Sequence, residues 1–347
     1  MLRILLLLLV LGACSPLDAE VCGGETSAIN SLPADELPLV TVRATIQKAI
    51  APLQQAATVS ANERQCFTCH NQAIPVLALT AVAKRGFDID QEVLQRQLQH
   101  TWNHLDKGRQ EYRVGKGQGG QVMTAGYAMW TLEAGRWEPD ETTTAVTHYL
   151  VEYQKDKNRW SAGSKRLPSA GSVFTATYVA LRALSHYGTG EQTHGIKSRR
   201  EAVSKWVLET EPRDTEDGVF RLRSLPYIGA DEVAVRKAVD ALLASQHANG
   251  GWSQTNKMPP DAYATGTVLV ALQEVGRLSA NHPAVVSAGR YLIDSQLADG
   301  TWHVVTHANP IQDYYESGFP HGEDQFISIA ATGWATLALA LTLPAGN

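Results

Sequence analysis

Ala241-Leu242-Leu243-Ala244-Ser245-Gln246-His247-Ala248-Asn249-Gly250-Gly251-Trp252 is an apolar helix that ends in Gln, then a polar glycine turn, then Trp. The same order returns at Tyr291-Leu292-Ile293-Asp294-Ser295-Gln296-Leu297-Ala298-Asp299-Gly300-Thr301-Trp302 and, without the glycine, from His148 through Gln154 to Trp160. After each Trp come a loop and a second helix of small and apolar residues: Phe174–Tyr187, Asp261–Val275 and Asp324–Leu341. Two weaker members of that set are Val122–Leu132 and Asp217–Leu225, and Gln72–Val82 is the first. An amphipathic stretch precedes each one: Val42–Ala57, Gln91–Leu105, Thr142–Gln154, Arg200–Glu209, Asp231–Gln246 and Pro283–Gln296. Leu, Val and Ala recur at helical spacing on one side of these stretches, with charge on the other. Internal repetition of this kind means stacked helix pairs. Six evenly apolar helices and six one-sided ones favour a closed double ring, small residues inside and charged faces outside, over an open solenoid. No convincing strand pattern is present.

The first apolar helix starts at Cys66-Phe67-Thr68-Cys69-His70. Cys-x-x-Cys-His is the attachment sequence of a c-type haem. Two thiols add across the vinyl groups while the adjoining imidazole ligates the iron, so one short turn must hold all three. The alternatives are a Cys66–Cys69 disulfide, a thioredoxin-like redox pair, or half a zinc site. A zinc site lacks a second Cys/His pair at suitable spacing, and a redox pair would want a βαβ context. In a closed ring the N-termini of the inner helices surround one mouth, where free amides and helix dipoles make the surface electropositive. His70 belongs to that mouth, so the haem is expected there and not on a separate domain.

Met1-Leu2-Arg3 and the apolar run Ile4–Leu11 form a signal sequence, too short to span a bilayer as a mature helix. Leu11-Gly12-Ala13-Cys14 resembles the bacterial lipobox, with residues 1–13 removed and Cys14 acylated; an ordinary secretory cleavage is the alternative. Residues 14–38, rich in Ser, Gly, Pro and acids, are expected to be a flexible tether, and 39–347 the toroid domain. The expected location is therefore the periplasmic face of a bacterial membrane, on the outer membrane, held by the lipid. Export also suits haem c attachment. No further apolar run is expected to span a membrane. A formal net charge of −5 and a pI near 6.1 exclude a nucleic-acid footprint. Cys22 has no assigned role.

The Gln-x4-Gly-x-Trp turns resemble the QW repeats of squalene–hopene cyclases and protein prenyltransferase β-subunits. That resemblance covers roughly residues 42–341 and implies an all-α fold, an (α/α)6 toroid of the terpenoid cyclase/protein prenyltransferase type. A closer resemblance is to exported bacterial proteins that join such repeats to a Cys-x-x-Cys-His motif. Asp214-Thr215-Glu216-Asp217, Asp261–Gly266 and Glu316–Gly322 carry it. It implies a fold and a haem c but no established reaction.

Cys66, Cys69 and His70 are the expected haem attachment and proximal ligand. A distal ligand would be Met or His. His321, in the loop before the last inner helix, and Met123, at the start of the second, flank His70 in a closed ring. His100, His104, His247, His303 and His307 are placed on outer helices or turns and discounted. Asp214, Asp217, Asp261 and Asp324 are candidate cavity acids for proton transfer; N-capping is the structural alternative, favoured for Asp261 and Asp324. Hopene cyclases use Asp-x-Asp-Asp, and Asp214-x-x-Asp217 is taken to lack its adjacent acid pair, so protonation-driven cyclisation is not expected. The zinc pattern of prenyltransferases is absent as well. The expected function is redox: electron transfer to a partner protein, or a haem-dependent oxidoreductase acting on a hydrophobic small molecule. The alternative is a non-haem cyclase- or lyase-like toroid enzyme, or a ligand-binding protein, with Cys66–Cys69 as a disulfide.

Overall fold

Three tryptophans fasten one ring of helices to the other. Trp160, Trp252 and Trp302 are all buried. Each indole N–H donates to the carbonyl ten residues back: Leu150 at 2.9 Å, Leu242 at 2.7 Å and Leu292 at 2.8 Å. Each backbone N–H in turn takes the hydroxyl of an inner-helix threonine, Thr177, Thr265 or Thr332, at 2.9–3.2 Å. An outer helix end, a turn and an inner helix are thus joined at one residue, every buried donor of which is satisfied. The computed structural model describes residues 36–164, 166–310 and 313–345. The expected signal, Cys14 and the tether up to residue 35 lie outside them. Leu37, at the end of the expected tether, is buried in the core against Gly289.

The helices in chain order are α1 (Leu39–Glu63), α2 (Ile74–Ala83), α3 (Gln91–Lys107), the short α4 (Arg109–Arg113), α5 (Gln121–Ala134), α6 (Glu141–Glu152), α7 (Val173–Tyr187), α8 (Thr193–Glu209), α9 (Thr215–Ser224), α10 (Glu232–Ala244), α11 (Ala262–Glu274), α12 (Pro283–Ser295) and α13 (Gln325–Thr342). The inner series packs as α2, α5, α7, α9, α11, α13 and back onto α2. The ring is closed, and the chain is an (α/α)6 toroid. α1, α3, α6, α8, α10 and α12 cover it from outside. Only one strand pair occurs among the described residues, Trp252–Ser253 with Pro260–Asp261, two residues on each side of a turn. Inner helices need no polar face, because each is covered by two neighbours and an outer helix. Residues 322–342 are therefore long and apolar enough to cross a membrane, contrary to the expectation of no such run, but 83% of the apolar window is buried inside the ring.

The outer ring closes through Gln296. Its amide donates to the Gly300 carbonyl at 3.0 Å and to Thr45 in α1 at 2.8 Å, tying the last repeat to the first helix. Gln246 does the same one repeat earlier, reaching Gly250 and Ala284 at 2.9 and 3.0 Å. Both turns use a glycine with positive φ, 88° at Gly250 and 85° at Gly300. A side chain at Gly300 would run into the backbone carbonyl of Lys48. Gly300→Ala should lower stability by about 2 kcal/mol or more, left-handed strain plus the collision. Gly86→Ala, at φ +78° with open space around it, is the control and should cost about 1 kcal/mol of left-handed strain alone. Urea midpoints of the two variants check the order.

Candidate functional site

Between α1 and α2 the chain makes a tight, heavily braced turn. Gln72 accepts from the Thr68 backbone N–H at 2.8 Å and from its hydroxyl at 2.7 Å, and donates to Ser60 of α1 at 3.4 Å. Thr68 in turn receives the Asn71 N–H at 3.3 Å. Cys69–Ala73 winds as one wide π turn before the α-helix begins. Such widened turns gather at functional sites.

The turn forms one wall of a cavity of about 620 Å³ at the N-terminal ends of α2, α5, α11 and α13. That size is ordinary for a small-molecule or cofactor site. Cys66, Cys69 and His70 line it, with Met123 from α5, Tyr263 from α11 and Phe326 from α13. The segment Arg166–Ala170 completes the lining, with Arg166 5.8 Å from the Phe326 ring. Cys66 and Cys69 are free thiols, Cys66 exposed, so the disulfide of the alternative reading is not formed. His70 stands edge-on to Phe326, ring centroids 5.0 Å apart. Its Nε2 is buried and has no hydrogen-bond partner. Burial, then the Arg166 charge, pushes its pKa down to about 3. Burial likewise pushes the Cys69 thiol up to about 12. Two free thiols and a neutral imidazole with an unused lone pair on one cavity wall fit the donor set of a haem c. Among the described residues, no group of three or more His, Cys, Asp and Glu side chains is arranged to hold a metal ion by itself.

The other sequence candidates divide. Met123 lines the cavity, nearly buried, with its carbonyl 4.0 Å from the Cys69 sulfur. His321 does not line it; the ring lies on His303, centroids 4.7 Å apart, and bonds Thr301 at 2.9 Å. None of Asp214, Asp217, Asp261 and Asp324 lines it either. Asp214 and Asp261 cap α9 and α11, accepting from the Asp217 and Ala264 backbone at 2.9 and 2.8 Å. Asp324 makes no side-chain cap on α13: it clasps the preceding loop, taking Thr306 N–H at 2.8 Å and His303 Nε2 at 2.7 Å. Asp217 is buried in an ion pair with Arg213 at 2.7 Å and takes the Ser172 hydroxyl at 2.7 Å. His104, discounted as an outer-helix residue, does line the cavity.

Glu216 stands with Asp214 and Asp217 ahead of an apolar stretch in the sequence but is not among its candidate cavity acids. It supplies, with Asp217, the adjacent acid pair taken to be missing, one member being Glu. It is buried beneath the cavity floor, accepting from Thr175 at 2.9 Å and from the Tyr263 hydroxyl at 3.1 Å. Burial pushes its pKa up to about 8, and Asp214 and Asp217 add to the rise. The rise favours its protonated form, one hydroxyl away from the cavity.

At their other ends the inner helices are plugged. Arg223 is fully buried, with the rings of Trp130, Tyr178, Phe220 and Trp334 each 5.0–5.9 Å from its guanidinium carbon. Glu274 pairs with it at 2.9 Å. The aromatic interior there already holds a cation.

No family model matches the chain. A curated relative, the squalene–hopene cyclase of Bradyrhizobium diazoefficiens, is 30% identical over 119 residues, 29% of this chain, and the chain spans 17% of that relative's length. A variant of the type II terpene cyclase MstE from Scytonema, solved with its product merosterolic acid A, superposes with a TM-score of 0.59 over 88% of this chain and 98% of that one, at 16% identity. The ligand-free MstE gives 0.55 at 15% identity over 88% and 98%. The fold is the α/α toroid of the terpene cyclases.

Proposed function

We propose that this chain is a c-type haem protein built on a cyclase-like toroid, with the mouth cavity as its haem pocket. One observation carries the reading. His70 holds a buried, unpartnered Nε2 on the wall of a 620 Å³ cavity that free Cys66 and Cys69 also line. Cys66 and Cys69 would hold the group by thioether bonds and His70 would ligate it; once bound it supplies one-electron chemistry. The chain does the rest. Phe326 fixes the His70 ring, Gln72 holds the turn, and Arg166, also on the lining, offers a cation to an acidic substituent. Export, acylation of Cys14, the periplasmic face of the membrane and a redox partner protein belong to the same proposal and rest on the N-terminal sequence and the motif.

The relatives are terpene cyclases by name and, taken alone, favour the alternative of a non-haem cyclase-like enzyme. Glu216 gives that reading its own observation: a buried acid whose protonated form is favoured, bonded to a tyrosine of the cavity floor. In it the Tyr263 hydroxyl turns from Glu216 to give its proton to an apolar ligand, and the Glu216 carboxyl, now donating to the Tyr263 oxygen, replaces that proton. Arg223 weighs against it, since its side chain, packed among the interior rings, takes space that a long apolar chain would need.

An absorption spectrum of the full chain, exported in a host with haem c maturation, separates the two. A Soret band that survives acid–acetone extraction is expected, and should vanish in the Cys66→Ala/Cys69→Ala double variant. Colourless wild-type protein would sink the haem reading and leave the acid.

A further inference from the structure

We propose that His104 is the second axial ligand, so that protein side chains fill both faces of the iron. The inference rests on the haem reading and deepens it. His104 lies in the last turn of α3, whose end leans over the mouth. Its ring faces Phe67 inside the motif, centroids 6.2 Å apart. The Gln118 amide holds its backbone carbonyl at 2.9 Å, which fixes that helix end. Two imidazoles line the cavity, His70 and His104, and each buries an Nε2 with no partner.

An unsatisfied buried polar atom is costly, so three on one lining, these two nitrogens and Gln118 Oε1, call for an explanation. An iron held by His70 and His104 would give both nitrogens a partner. The other candidates lack this signature. His321 bonds Thr301, and His100 Nε2 already lies 3.4 Å from the Cys66 carbonyl. Met123 lines the cavity, but a buried thioether needs no partner. The consequence is functional. With both axial positions held, the iron has no open site for oxygen or peroxide, and electron transfer becomes the role of the site. The cavity is then the cradle of the group and not a substrate chamber.

The test is spectroscopic and uses the haem-loaded full chain. Wild type should be low-spin and indifferent to carbon monoxide, with a bis-imidazole electron paramagnetic resonance signal when oxidised. His104→Ala should turn essentially all of the haem high-spin and open to carbon monoxide, and added imidazole should restore the low-spin bands. His104→Gln, which keeps bulk and polarity, should give the same high-spin, carbon-monoxide-binding haem, and it carries the test where the alanine impairs folding. Met123→Leu should leave the bands unchanged. A wild-type methionine signature, a wild type that binds carbon monoxide, or a His104 variant that stays low-spin would each overturn the assignment while the haem reading stands. Protein without a Soret band would overturn both.

Discussion

Trp302→Ala should leave the chain at or below the edge of folding. The buried indole fills the joint between α12 and α13, and truncating such a side chain costs about 3–5 kcal/mol. It also strands the Leu292 carbonyl, bonded at 2.8 Å, which adds about 1–3 kcal/mol. A typical domain has about 5–15 kcal/mol in total. The location raises the stakes, because Gln296 in the same turn ties the last repeat to α1. Trp302→Phe separates the two contributions. It keeps most of the apolar volume and loses the N–H, so it should cost about 1–3 kcal/mol. Urea unfolding followed by circular dichroism reads both. Equal losses for Phe and Ala would mean that the hydrogen bond, and not the filled volume, carries the turn. Losses below about 1 kcal/mol for both would mean that the joint does not hold the ring.

That joint is also why the fold was legible. A Gln, a glycine turn and a Trp at fixed spacing dictate a local structure whose hydrogen bonds have one solution, and helical periodicity distinguishes a helix covered on all sides from one with a wet face. Ring closure followed from the count of pairs. The site was legible only in its covalent core. Cys66, Cys69 and His70 are neighbours in the chain, so their meeting needs no fold. His104 was misjudged because the sequence assigns a whole helix to the outer layer, whereas its last turn is the part that overhangs the mouth. Position along a helix, not only the face, decides what a side chain reaches. Asp324 was misread for a related reason. Asp before an apolar helix usually caps it, but the loop from His303 to Thr306 folds back and takes the carboxylate first. Glu216 was lost to a strict reading of an aspartate motif. What marks it is burial against Thr175 and Tyr263, elements far apart in sequence.

Glu216 leads to an expected pH dependence whose sign is set by burial. Its folded pKa is raised from an ordinary 4.5 to about 8. The folded state therefore holds this proton where the unfolded chain has released it. Stability from this group is complete below about pH 4.5, falls as pH rises through that window, and is lost once pH passes about 8. At about 1.36 kcal/mol per unit of pKa the full span is on the order of several kcal/mol. Glu216→Gln removes the titration and keeps the shape, since the amide oxygen still accepts from one of the Thr175 and Tyr263 hydroxyls, now at 2.9 and 3.1 Å, while its N–H donates to the other. Asp214 and Asp217 remain in both proteins, so the difference between wild type and variant reads Glu216 together with its coupling to them. Urea midpoints from pH 5 to 9 should show wild type losing stability relative to Glu216→Gln as pH rises. A difference that stays constant across that range would mean that Glu216 is already ionised in the folded protein, stabilised by its two hydroxyl neighbours. The buried acid would then have no proton to offer the cavity at neutral pH.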